Sequence, residues 1–164
     1  MSIMIHEASR DEIEQLIPLL LLAEPSKSAL RWSLKHLSDT VYRVNEDEQV
    51  VGAATMRWSG EPCEIVELAV AEDRHGLGIG KQVVAWLITE AKSRGKQRMV
   101  VGTGNASIGN IVFYQKCGFR MDHIRRDYFW YYRKPIIKDG IRARDLLVFS
   151  YELTEGKTID GEGA

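Results

Sequence analysis

Glu64-Ile-Val-Glu-Leu-Ala-Val70 runs into Ala71-Glu-Asp-Arg-His-Gly-Leu-Gly-Ile-Gly80, and then into Lys81-Gln-Val-Val-Ala-Trp-Leu-Ile-Thr-Glu-Ala-Lys-Ser-Arg94. The first piece has the composition of a strand. In the last, Val84, Leu87, Ile88 and Ala91 recur at the spacing of an amphipathic helix lying on a sheet, and Gly95 stops it in the usual place. Between them, the glycines let the backbone approach an anion closely. The first amides of the helix have no intrahelical partner and carry a partial positive charge. Strand, glycine turn and helix together suit a phosphate-bearing guest.

Two familiar phosphate motifs are excluded by residue type. A Walker loop read back from Gly80-Lys81 requires Gly at His75 and Ser or Thr at Gln82. A dinucleotide fingerprint requires a third Gly at Lys81 or at Val83, depending on where the count begins. What remains is Gly76-x-Gly78-x-Gly80 entering a helix.

Outward from this centre, Met4–Glu7 reads as a strand, and Arg10–Leu22 as a helix with Ile13, Leu16, Ile17 and Leu20 on one face. Pro25-Ser26 breaks that helix before a second over Ser28–Leu37. Thr40–Asn45 and Gln49–Trp58 pair through a charged turn, and Ser59-Gly-Glu-Pro62 leads to the strand Cys63–Val70. After the central helix come a strand over Arg98–Thr103 and a helix ending at Cys117-Gly118. Arg120–Tyr132 and Ile141–Leu153 are expected as a terminal antiparallel pair of long strands, joined through Pro135 and Asp139-Gly140. The order is mixed α/β. Residues 1–153 make one domain, and residues 154–164, with almost nothing apolar, read as a loose tail.

Lys plus Arg number 22 against 23 Asp plus Glu, a formal net charge of −1, so no electrostatic argument favours nucleic acid or a membrane as partner. Cys63 and Cys117 stand far apart, outside any metal or redox spacing, which fits a reducing cytoplasmic setting. The longest apolar run, Leu16–Ala23, is short for a bilayer and carries Pro18. His6, His36, His75 and His123 show no ligand pairing, so no metal is expected.

Asn110-Ile-Val-Phe-Tyr114-Gln-Lys-Cys-Gly118-Phe119 is the second informative stretch. Taken with Leu68-Ala-Val70 and His75-Gly-Leu-Gly78-Ile-Gly80, it resembles the GNAT family of N-acetyltransferases. In that family a strand ending apolar-Ala-Val precedes Arg/Gln-x-x-Gly-x-Gly/Ala, and a later helix ends in Tyr-x-x-x-Gly-Phe. This chain departs by placing His75 at the first motif position, beside Arg74, and Ser107 where Asn is frequent, with Asn105 and Asn110 nearby.

The resemblance implies a central mixed, mostly antiparallel sheet flanked by helices, with acetyl-CoA as cosubstrate. It implies pyrophosphate held by His75, Gly76, Leu77, Gly78, Ile79, Gly80 and Lys81, and the pantetheine arm along Leu68, Ala69 and Val70. Ser107, Asn110 and Tyr114 share a face of the later helix and would form a cofactor wall, with Asn105 capping that helix more than binding cofactor, although the two roles can coincide. Tyr114 is implied as general acid.

Acyl transfer to an amine also needs a base, because an alkylammonium with a pKa near about 10 is protonated at neutral pH. Glu64 and Glu67 are the candidates. Their odd separation sends them to opposite faces of a regular strand, so only one reaches the substrate unless a bulge intervenes. Glu64, six residues before Val70, stands where several family members carry the base.

Trp32, Trp58, Tyr128, Phe129, Trp130, Tyr131 and Tyr132 lie on the segments that build the acceptor pocket in this family, and aromatic faces attract cations. Arg125, Arg126, Arg133 and Lys134 are either solvated charges or a lure for an acidic substrate. The expected activity is direct transfer to a primary amine of a small molecule. A protein or peptide acceptor and a non-catalytic CoA sensor are the alternatives, and a homodimer is compatible with the sequence.

Overall fold

The computed structural model describes residues 2–154; apart from residue 154, the expected tail lies outside the described residues. Chain order is β1 (Ile3–Glu7), α1 (Arg10–Leu20), α2 (Lys27–His36), β2 (Thr40–Glu46), β3 (Gln49–Arg57) and β4 (Cys63–Val70). It continues with α3 (Ile79–Ser93), β5 (Arg98–Gly104), α4 (Ile108–Lys116), β6 (Arg120–Arg125), β7 (Ile137–Lys138), β8 (Ile141–Arg142) and β9 (Leu146–Glu152). A single 3-10 turn, Glu72–Arg74, joins β4 to the glycines.

Seven strands form one sheet in the order β1-β2-β3-β4-β5-β9-β6. Every pairing in it is antiparallel except β4 with β5, whose crossover is α3, as parallel neighbours require. The expected mixed, mostly antiparallel sheet is what the chain builds.

Both faces are covered. Val83, Val84, Leu87 and Ala91 of α3 pack with Val44, Met56, Ile65, Met99 and Phe149 on one side. Leu16, Ile17 and Leu20 of α1 with Leu30 of α2 pack over Val41 and Ala53 on the other. Ala53 and Ala54, adjacent on β3, are fully buried on opposite cores. α1 opens with a capping box between Ser9 and Glu12.

The terminal strands are shorter than expected. β6 ends at Arg125, opposite Leu146 where β9 begins, and among the described residues no strand lies beyond for the aromatic run to pair with. Tyr128–Tyr132 therefore turns back on itself, with Tyr128 packing on Phe129, Phe129 on Tyr132 and Tyr131 on Tyr132, although these residues favour strands. Asp139-Gly140 closes a small hairpin of its own between β7 and β8, both residues at positive φ, as a two-residue turn requires.

Candidate active site

Beyond Ile65 the two parallel strands part. The β4–β5 ladder covers only Cys63↔Met99, Glu64↔Val100 and Ile65↔Val101, although β4 continues to Val70 and β5 to Gly104. On its other side β4 stays paired with β3 as far as Val70. Residues 66–70 thus have one edge without a strand partner, and an extended amide-bearing chain can join such an edge as another strand would. The gap opens into a cavity of about 500 Å³, walled by Val66 and Leu68 of β4, Val101–Gly104 of β5, and Ser107, Asn110 and Tyr114 at α4.

A β-bulge decides where the carboxylates point. β3 pairs Thr55 with Glu67 but Met56 with Ile65, leaving Val66 as an extra residue. Cys63 and Ile65 before the bulge, and Leu68 and Val70 after it, all pack on the α3 side. Glu64 and Glu67 are consequently delivered to the same side, and both line the cavity. Alternation along a regular strand would have separated them.

Their surroundings differ. Glu67 is 8% exposed; its Oε2 accepts from Ser33 Oγ at 2.8 Å and its Oε1 from the Thr55 hydroxyl. Thr55 Oγ1 also accepts the Glu67 amide at 2.9 Å, so one threonine holds both the backbone and the side chain at the bulge. Burial raises the Glu67 pKa above its ordinary value, and the two hydroxyls oppose the rise. Glu64 is more open and pairs with Arg57 at 3.2 Å. Tyr114 is buried against Phe113, Phe119 and Phe149, and burial lifts its phenol well above the ordinary tyrosine range.

At the glycine turn, Gly76 and Gly78 take positive φ, +79° and +82°, which bends the chain into α3 without a Cβ penalty. Gly78 is the N-cap of α3, which has no side-chain cap. Among the described residues, amides 76–81 donate to no backbone carbonyl outside α3, as the first amides of a helix have no intrahelical partner. His75, Gly76, Leu77 and Lys81 are exposed, while Ile79 is buried as the first core residue of the helix. The His75 imidazole lies 2.8 Å from the Val70 carbonyl, so it ties the turn to the end of β4.

Asn105 is not the cap of α4. Its Oδ1 accepts the amides of Arg144 and Asp145 at 2.8 and 3.0 Å, and its Nδ2 donates to the Arg142 carbonyl at 3.1 Å. It anchors the loop between β8 and β9, and Ser107 takes the N-cap position. The aromatic group also divides. Trp32, Tyr128, Phe129, Trp130, Tyr131 and Tyr132 line the cavity, whereas Trp58 is 5% exposed in the core. Its indole N–H donates to Tyr42 at 3.0 Å, under the Arg94 guanidinium. Arg125 and Arg126 border a separate depression of about 330 Å³; Lys138 reaches the cavity itself.

Sequence reasoning missed Ser33, Thr55 and Glu24. Ser33 follows Leu30 by three residues, a polar residue on the apolar stripe of α2, and that was the available signal. Glu24, in the turn after α1, accepts from the hydroxyls of Tyr131 and Tyr132, a contact across 107 or 108 residues that no local pattern foretells. Among the described residues, no three His, Cys, Asp or Glu side chains gather as a metal-holding group, and no helix is long and apolar enough to cross a membrane.

Comparison with known proteins gives one answer. A model of the acetyltransferase (GNAT) family matches residues 6–119. An uncharacterized N-acetyltransferase of Bacillus subtilis, YvbK, is 35% identical over 143 residues, which span 86% of this chain and 91% of that protein. Among solved structures, an acetyltransferase from Bacillus cereus titled as an IAA acetyltransferase superposes with a TM-score of 0.82 at 34% identity, covering 92% of this chain and 99% of its own. A GNAT family acetyltransferase from Elizabethkingia anophelis, solved with acetyl-CoA bound, superposes with a TM-score of 0.82 at 34% identity, covering 92% and 97%. With the strand-turn-helix unit, the parted strands and these matches in agreement, this chain belongs to the GNAT family of acetyltransferases.

Proposed function

We propose that this acetyltransferase takes the acetyl group of acetyl-CoA and transfers it directly to the primary amine of a small molecule, with both substrates bound together. The observation that carries this reading is that Glu64, Glu67 and Tyr114 open on one cavity beside the unpaired edge of β4. The amides of the glycine turn fit a pyrophosphate, and the free edge of residues 66–70 fits an amide-rich arm. Bound there, acetyl-CoA supplies an acetyl group already activated as a thioester.

The chain supplies the rest. At pH 7 only about one alkylamine molecule in 10³ is neutral, so the ammonium proton must be taken up. Position along β4 favours Glu64 for this, but surroundings favour Glu67. Its pKa is raised by burial, whereas Glu64 is held by Arg57 at the cavity wall, where it helps to receive the ammonium. A backbone amide of Leu68 or Val70 donates to the carbonyl oxygen as charge develops there. Tyr114, kept protonated by burial, donates its hydroxyl hydrogen to the departing sulfur. The aromatic residues 128–132 wall the cavity, which favours a small acceptor over a polypeptide.

Thiol release from acetyl-CoA, measured with pools of small amines, amino acids, aminoglycosides and short peptides beside Tyr114→Phe, tests the reading. Release confined to a small-amine pool, falling about 10²-fold or more in the variant, is expected. Preferential release with peptides overturns the small-molecule acceptor. Bound acetyl-CoA without release from any pool overturns the enzyme reading in favour of a sensor.

A further inference from the structure

The wall of the cavity opposite the parted strands contains a carboxylate that the transfer step does not use. Glu24 is half-buried. Its Oε1 accepts the Ser26 amide at 3.1 Å and the Tyr132 hydroxyl, and its Oε2 accepts the Tyr131 hydroxyl at 3.3 Å. These donors orient the group but bring no positive charge. Among the described residues, no Lys, Arg or His lies within ion-pair distance of Glu24 or Glu67.

Around Glu24 the walls are aromatic. Tyr131 and Tyr132 stack with ring centroids 4.6 Å apart. Trp32 and Trp130, both on the cavity lining, are 56% and 83% exposed. Ring faces on the same cavity as a carboxylate that makes no ion pair among the described residues make a seat for an organic cation, which gains from the charge and from the ring quadrupoles together.

We propose that the acceptor carries a second cationic centre besides its reacting amine, and that Glu24 and its aromatic surround seat that centre while Glu64 and Glu67 receive the amine. This rests on the small-molecule amine reading given above. The carboxylates interact across the cavity: Glu67, pushed up chiefly by burial, is raised further by the negative charges of Glu24 and Glu64. Tyr128, also pushed up chiefly by burial, has the same three carboxylates among its raising influences. A dication would relieve both ends of this field, and a monoamine only one. The cavity of about 500 Å³ lies within the roughly 300–1,000 Å³ range of small-molecule sites.

The test compares diaminoalkanes of three to six carbons with monoaminoalkanes of equal length, by thiol release from acetyl-CoA, in the natural chain and in Glu24→Gln. At the best length, kcat/KM for the diamine is expected to exceed that of the monoamine by about tenfold or more, chiefly through KM. In Glu24→Gln that ratio is expected to fall towards one. Equal turnover of diamine and monoamine by the natural chain overturns the inference without any variant, and leaves the amine reading standing. An equal loss for both amines in Glu24→Gln also overturns it, since Glu24 would then merely hold residues 131 and 132 in place. Turnover of neither amine, with acetyl-CoA bound, overturns this inference; if no other small amine is turned over either, the reading beneath it falls as well.

Discussion

The hydroxyl of Ser33, on α2, donates to Glu67 Oε2 at 2.8 Å, joining the first pair of helices to the strand that carries both candidate bases. Thr55 holds the other oxygen from β3. Because both hydroxyls favour the ionised form, they oppose the rise that burial imposes. Removing Ser33 should therefore raise the Glu67 pKa further. In Ser33→Ala the acid limb of the kcat/KM profile should move to higher pH, and in Glu67→Gln turnover should drop about 10²- to 10⁴-fold with the limb lost. A Ser33→Ala profile displaced in KM alone, with the limb unmoved, would assign Ser33 to holding α2 and nothing more.

The same raised group makes a stability prediction. Glu67 binds its proton more tightly in the folded chain than an ordinary glutamate, with a pKa of about 4.5, does in the unfolded one. Its contribution to stability is thus fully present below about 4.5 and is lost as pH rises through the folded value. Relative to the natural chain, Glu67→Gln should gain Tm on going from pH 4 to pH 8. Thermal unfolding of the two proteins across that interval measures the difference directly, and a constant gap would contradict the raised pKa.

Trp32 and Trp58 should behave oppositely. Trp58→Phe removes a buried indole N–H bonded to Tyr42 at 3.0 Å and leaves a void beneath Arg94, so a loss of about 1–3 kcal/mol is expected. Its KM for the amine should stay unchanged. Trp32→Ala, at an exposed cavity wall, should raise the KM for the amine with little change in Tm. Denaturant unfolding paired with amine titrations separates the two.

What could be read in the sequence was whatever lies close along the chain. The strand, glycine turn and helix from Glu64 to Arg94 are a contiguous unit, and periodicity with breakers located them; α3 merely starts at Ile79, two residues earlier than its apolar stripe suggests. The family likeness rests on that unit and on Tyr114-Gln-Lys-Cys-Gly118-Phe119. Three features resisted. The bulge at Val66 depends on the register between β3 and β4, which no single strand encodes. The aromatic run after Arg125 looks like strand because its residues favour strands, but β9 begins only at Leu146, opposite Arg125. Asn105 reads as a helix cap by type and place, yet a loop 37 to 40 residues away claims its amide.

Gly78 and Gly80 should fail for different reasons. Gly78 sits at φ +82° with open space where a Cβ would go, so Gly78→Ala should cost about 1–2 kcal/mol through backbone conformation alone. A Cβ on Gly80 would stand 3.2 Å from the Phe113 ring, so Gly80→Ala should press α3 away from α4, beside Tyr114. The first variant should chiefly raise the Kd for acetyl-CoA, and the second should also lower kcat. Calorimetric titration with CoA, set against turnover, distinguishes them.

Neither cysteine should matter to turnover. Cys63 is wholly buried, its Sγ directed at the Arg98 carbonyl 3.6 Å away, and burial pushes its thiol up to about 11. At neutral pH almost no thiolate exists there to attack a thioester. Cys117 closes α4; burial raises its thiol too, and the Lys81 charge does not undo the rise. A covalent acetyl-enzyme would need a lowered thiol pKa in contact with the cofactor, and both groups are shifted the other way. Cys63→Ala should lose about 1 kcal/mol of stability from the vacated volume, with kcat within about twofold of the natural chain. Cys117→Ala should match the natural chain in both. Single-turnover measurements with acetyl-CoA alone should show no burst of thiol in any of these proteins. A burst that disappears in one cysteine variant, with its fold intact, would overturn direct transfer and make that cysteine the acyl carrier.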